Sequence, residues 1–113
     1  MSMQGGVRKY ALTVGGVATI PREPGLKPLA IRITNWVGTT CAFLGQIADG
    51  TYVAIHDDAA SPAAYAFTIT DNVWMTLPAA LVRVLAALSN WQVDSNGDES
   101  ANTLEVLFGP VEV

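Results

Sequence analysis

The chain has 113 residues, 50% of them hydrophobic and 14% charged, with a formal net charge of -4 and a pI near 4.6. These values describe one globular domain able to hold itself up without disulfides or metals. They exclude a membrane-spanning helix, which needs about 20 apolar residues, because the longest apolar stretch, 78–88, is short and carries Arg83.

The start of the chain lacks the apolar core of a secretory signal. Cys41 is the single cysteine, so it has no internal disulfide partner, and its apolar surroundings mark it as a buried small hydrophobe. Charged residues make up about a quarter of an ordinary globular chain. The deficit here leaves part of the surface to be buried against other chains.

Charge is divided along the chain. Residues 1–32 hold five bases against one acid, a balance of +4, and residues 33–113 hold Arg83 against nine acids, a balance of -8. The first 28 residues are broken by Gly5-Gly6, Gly15-Gly16, Pro21, Pro24-Gly25 and Pro28, which prevent a helix and keep the backbone extended or turning. Residues 7–14 and 17–20 between those breaks have strand composition. The expectation is a basic N-terminal arm, 1–28, on an acidic domain, 29–113.

From Leu29 onward the pattern is of short strands at close spacing, the sign of an antiparallel sandwich or barrel. Residues 29–34 form one strand, with Leu29, Ile31 and Ile33 on one face. Strands at 41–47 and 52–56 follow, joined by Ala48-Asp49-Gly50, in which Asp-Gly is a hairpin signal. After a polar loop at 57–64, residues 65–70 and 73–77 read as a second hairpin turning at Asp71-Asn72.

In 78–88, Leu77, Leu81, Val84, Leu85 and Leu88 fall at helical spacing behind a proline suited to a first turn. A strand through 81–85 is the rival reading, since branched residues cluster there. Strands at 91–94 and 103–108 close the chain around a polar loop containing Asn96-Gly97. The predicted fold is an all-β, jelly-roll-like antiparallel sandwich with about nine strands, one short helix and an extended N-terminal arm.

Candidate chemistry is sparse. His56-Asp57-Asp58 is the only place where the lone imidazole meets carboxylates, but neighbours in a strand point to opposite faces, so a surface cluster is the plainer reading. Ser61 precedes Pro62 outside any nucleophile elbow. Residues 94–100 are rich in oxygen ligands, yet Gly97 comes too early for an EF-hand and no glutamate closes the loop. A solvated loop is expected there, with a cation site as the alternative. No catalytic residue, cofactor or metal site is assigned. Nucleic-acid binding is not expected either, because the bases are spread thinly and the body is acidic. Trp36, Trp74 and Trp91 are candidates for core or interface positions, or for a carbohydrate platform.

Residues 49–58, 65–70, 77–81, 91–95 and 103–106 together resemble a family of small virion structural proteins of tailed bacteriophages, head decoration proteins or related tail and fibre modules. The similar region covers roughly 65 residues from Asp49 onward, and it rests on patterns of hydrophobicity and turns. The pattern departs at Ser100-Ala101-Asn102-Thr103, where such proteins often carry an Ala-Asp-Arg type step, and the basic arm has no counterpart.

The resemblance implies a non-enzymatic virion protein that self-associates and attaches to a major capsid or tail protein, without nucleic acid or membrane. The alternative is a receptor- or glycan-binding module of a tail or fibre. A closed homo-oligomer, taken as a trimer, follows if the arm docks on a neighbour's sheet edge. The residues placed at that interface are Arg8, Lys9, Tyr10, Leu12, Val14, Val17 and Ile20 of the arm, with Trp36 and Trp74 of the body. The opposing possibility is that the arm folds back as the first strands of its own sandwich.

Overall fold

In the computed structural model the described residues are 5–12, 16–34, 40–57, 64–95 and 103–110. They form nine strands and one helix: β1 (Gly6–Ala11), β2 (Val17–Pro21), β3 (Leu26–Thr34), β4 (Thr40–Gln46), β5 (Tyr52–Ala54), β6 (Ala66–Thr68), β7 (Met75–Thr76), α1 (Ala79–Ala87), β8 (Asn90–Asp94) and β9 (Thr103–Pro110).

Two antiparallel sheets face each other. Sheet A has the order β1-β9-β3-β7; sheet B has the order β2-β8-β4-β5, with β6 also pairing β4. The pairs β1 with β9, β2 with β8, β3 with β7 and β4 with β5 and β6 are nested in sequence. Such nesting is a long double ribbon folded over on itself, and the contacts of β3 with β9 and β4 with β8 close it into two sheets. This is the jelly-roll arrangement of a β-sandwich.

Alternation along the strands makes the core. Cys41, Phe43 and Gly45 of β4 point inward, as do Trp91 and Val93 of β8 and Leu104, Val106 and Phe108 of β9. Phe43 meets Phe67 edge to face at 5.6 Å and lies 6.1 Å from Trp91, contacts worth about 1 kcal/mol each beyond area burial.

The described part of the first 28 residues belongs to this sandwich. β1 pairs with β9 and β2 with β8 of the same chain, and Ala18 and Ile20 are fully buried in the core. The boundary drawn between 28 and 29 falls inside β3, so it separates no domains. The reason is physical: strands with an apolar inner face bury it on the nearest open sheet edge, and both edges are supplied by this chain's own C-terminal strands.

β3 extends further back than residue 29, through Pro28. A proline inside a strand is tolerated at a bulge or an open edge, and both apply. The register with β9 shifts between Pro28 and Ala30, and β7 pairs only with Ala30 and Ile31. The bulge places Leu29 over Gly109 on the outer face of sheet A, where a side chain at Gly109 would meet Leu29 Cδ1 at 2.6 Å. Ile31 and Ile33 are inward, but Leu29 does not share their face.

The expected second hairpin does not form. β6 lies in sheet B against β4, and β7 lies in sheet A against β3. The Asp71-Asn72 turn instead carries the chain across the sandwich. Asn72 has φ 60 and donates its backbone N–H to Ile33 O at 2.9 Å. At residues 79–87 the helix prevails over the rival strand, burying Leu81 and Leu85 while Val84 faces solvent. Pro78 stands at the N-cap, one position before the first helical turn.

Candidate functional site

The outer faces of the two sheets differ in chemistry. On sheet A, Lys9 of β1 stands opposite Glu105 of β9, and Glu105 stands opposite Arg32 of β3. Arg32 donates from Nη2 to Glu105 Oε2 at 2.6 Å, and its guanidinium lies 4.8 Å from the centre of the Trp74 ring. One row across the whole sheet therefore alternates cation, anion, cation and aromatic ring. Glu105 is buried on the outer side of the sheet because these neighbours cover it.

Sheet B presents three rows of four residues. Thr19, Gln92, Leu44 and Ala54 form the first, with Gln92 donating to Thr19 Oγ1 at 3.1 Å. In the second, running from Pro21 to Tyr52, Asn90 donates to Gln46 Oε1 at 2.8 Å. The third is Val17, Asp94, Ala42 and Ala66. Asp94 is the only charged side chain in the three rows, so much of the chain's charge deficit lies on this face.

Exposed large apolar side chains gather at strand edges. Val7 lies on edge strand β1, Val53 on edge strand β5, Ile47 at the turn beside it, and Val73 just before edge strand β7. Val84 of α1 is the remaining one among the described residues.

The sequence-predicted interface residues are scattered by the fold. Arg8 and Lys9 are exposed on β1, and Arg8 Nε approaches Glu23 Oε1 at 3.9 Å. Tyr10 and Leu12 are half-buried against the core. Among the described residues the buried Tyr10 hydroxyl has no hydrogen-bond partner, and burial, helped by the Glu23 charge and opposed by Arg8, raises its pKa. Val17 is half-buried on the outer face of sheet B. Ile20 is a core residue, not a surface one, because β2 alternates and its even positions face inward. Trp74 is half-buried beneath Arg32. Val14 and Trp36 lie outside the described residues. Trp91 fills the core, so it contributes to no carbohydrate platform.

His56 is exposed at the point where pairing along β4 passes from β5 to β6. Ile55 donates to Phe43 O at 3.0 Å, His56 bridges Ala64, and β6 pairs with β4 beyond it. The imidazole Nδ1 lies 3.2 Å from Ala54 O. Of the loop at 94–100, Asp94, which ends β8, and Ser95 are described: the Ser95 hydroxyl donates to Gly16 O at 2.6 Å and its backbone N–H to the same oxygen at 2.8 Å, tying the end of β8 to the start of β2. Among the described residues no group of three potential metal ligands stands together, and no helix is long and apolar enough to cross a membrane.

Cys41 faces the core, and burial, with the Asp94 charge adding to it, pushes its thiol up to about 12. At the β4–β5 turn Gly50 has φ +90, the conformation that glycine adopts freely, and Gly50 N–H donates to Ile47 O at 2.9 Å. Asp49 accepts from the Thr51 side chain and, at 2.8 Å, from the Thr51 backbone N–H, and these bonds, the side-chain one first, lower its pKa.

The Glu105–Arg32–Trp74 cluster escaped the sequence reading because its partners lie far apart along the chain. Its one legible sign was a glutamate alternating with Leu104, Val106 and Phe108. The architecture defines a jelly-roll sandwich. No family model, curated protein or solved structure matches the chain.

Proposed function

We propose that this protein is an architectural, non-enzymatic component of a phage virion, self-associating and attaching to the capsid or tail, with head decoration as its place. The observation that carries the self-association is the outer face of sheet B. Twelve positions in three cross-strand rows hold one charge, Asp94, in a chain of net charge -4. Depletion of charge is a mark of the central part of protein interfaces, and amides that already bond within the molecule, Asn90 to Gln46 and Gln92 to Thr19, lose less on being covered than unpaired ones. The resemblance to virion structural proteins and the jelly-roll fold support the same reading. A cyclic trimer and a major capsid or tail protein are the partners it entails.

Light scattering on the purified chain tests this reading. A closed oligomer is expected, and Leu44→Lys, which puts a cation into the uncharged row of Thr19, Gln92, Leu44 and Ala54, is expected to release folded monomers. A chain that is monomeric at all concentrations, or an oligomer indifferent to Leu44→Lys, sinks it. A class average of native particles by electron microscopy then locates the protein on head or tail.

The glycan-binding alternative draws on the Asn90, Gln46 and Tyr52 polar groups of the same face. It predicts saturable binding of one sugar class, lost in Asn90→Ala, where the architectural reading expects a glycan panel to leave the protein unchanged.

A further inference from the structure

Between α1 and the outer face of sheet A runs an open groove of about 930 Å³. Three local features make it. The β3 bulge turns Leu29 outward; β7 is only two residues long and leaves the first part of β3 without a neighbour on that side; and α1 faces the space with the small side chains of Ala79, Ala86 and Ala87. Leu29, Leu77 and Val82 give it apolar walls, and its two charged groups are both cations, Lys27 of β3 and Arg83 of α1.

Those charges run against the rest of the molecule. Arg83 is the only basic residue after residue 32, where nine acids accompany it. The ion pairs among the described residues are Arg8 with Glu23 and Arg32 with Glu105, so neither Lys27 nor Arg83 has a described carboxylate within 4.0 Å. Two cations without a described partner beside one apolar trough select an anion with an apolar body. An open trough covers one side of its occupant only, which suits a segment held in place by a larger protein better than a free small ligand, whose surface must be mostly enclosed.

We propose that this groove docks an acidic, apolar segment of the protein to which the chain attaches, with Lys27 and Arg83 pairing the segment's carboxylates and Leu29, Leu77 and Val82 receiving its apolar side chains. The inference rests on the attachment part of the reading above, and it is independent of self-association.

The probe is a fluorescein-labelled, end-capped octapeptide alternating valine and glutamate, titrated with the full chain and followed by anisotropy. A saturable rise is expected, weakening as salt is added and about tenfold weaker with the Lys27→Glu, Arg83→Glu double variant. That variant is expected to keep the oligomer seen by light scattering, since both residues lie off the neutral face of sheet B. Leu44→Lys is expected to bind the peptide as the parent does. The proposal is overturned by the absence of saturable binding, by equal binding of the lysine counterpart peptide, or by a charge-reversed variant that binds as well as the parent. Sedimentation with phosphatidylglycerol vesicles in a manner the peptide does not compete would assign the cations to a lipid surface and overturn it as well. A monomeric parent that still binds the peptide would end the self-association reading and leave this one standing.

Discussion

Arg32 and Glu105, 73 positions apart, meet at 2.6 Å on the outer side of sheet A, where β3 and β9 bring them directly opposite. Glu105 is the more deeply buried partner, with 9% of its side chain exposed against 29% for Arg32. A carboxylate so covered is held by its cationic neighbours, and removal of one partner leaves the other poorly solvated.

Glu105→Ala is therefore expected to destabilise the fold by about 2 kcal/mol, a figure reduced from that of a fully buried pair because Arg32 retains contact with water. Urea unfolding of the single and double variants with Arg32→Ala measures it. Additive losses would show that the two side chains do not interact.

A chain beginning at Leu29 is expected not to fold, because it lacks β1 and β2 and with them Ala18 and Ile20 of the core. Circular dichroism and light scattering decide this. A folded, soluble monomer from that chain would show that β1 and β2 are dispensable for the fold, and would support their exchange between subunits.

The helix at 79–87 is tested by position. Leu81→Ala removes a fully buried side chain and is expected to cost about 3 kcal/mol, whereas Val84→Lys, on the exposed side of the helix, is expected to stay within about 0.5 kcal/mol of the parent. Similar losses at both positions would favour a strand there.

Cys41 is expected to resist thiol reagents in the native protein and to react on unfolding. Its raised value means that the unfolded chain ionises first, so stability is predicted to fall as pH rises above the ordinary thiol value, about 8.5, toward the folded value of about 12. Denaturation midpoints for the parent and Cys41→Ala across that range give the difference; parallel pH profiles contradict it.

At the β4–β5 turn, Gly50→Ala places a side chain at φ +90 and is expected to cost about 1 kcal/mol. Asp49 acts in the other direction with pH. Its lowered value means that its contribution is present above the ordinary carboxyl range and is lost as pH falls through the folded value. Asp49→Asn is expected to abolish that part of the acid sensitivity, read from melting curves between neutral and acidic pH.

Much of this architecture was legible in the residues. Period-two alternation in β4, β8 and β9 marks their inner faces, because side chains on a strand point alternately to either side, and the Asp49-Gly50 turn declares its hairpin by the backbone conformation that glycine permits. The leucines at 77, 81 and 85 mark the buried side of α1, though Val84 shares their spacing and faces solvent. What stayed hidden was the pairing of elements distant in sequence. Local pattern states that residues 65–70 and 73–77 are extended, but only the closing of two sheets around one core sends them to opposite sides of the sandwich. The same closure draws Ile20 inward, turns Leu29 outward at a bulge, and sets Arg32 between Glu105 and Trp74. Strand propensity is a property of neighbouring residues, whereas strand partners are chosen by which apolar faces remain to be buried once the rest of the chain is in place.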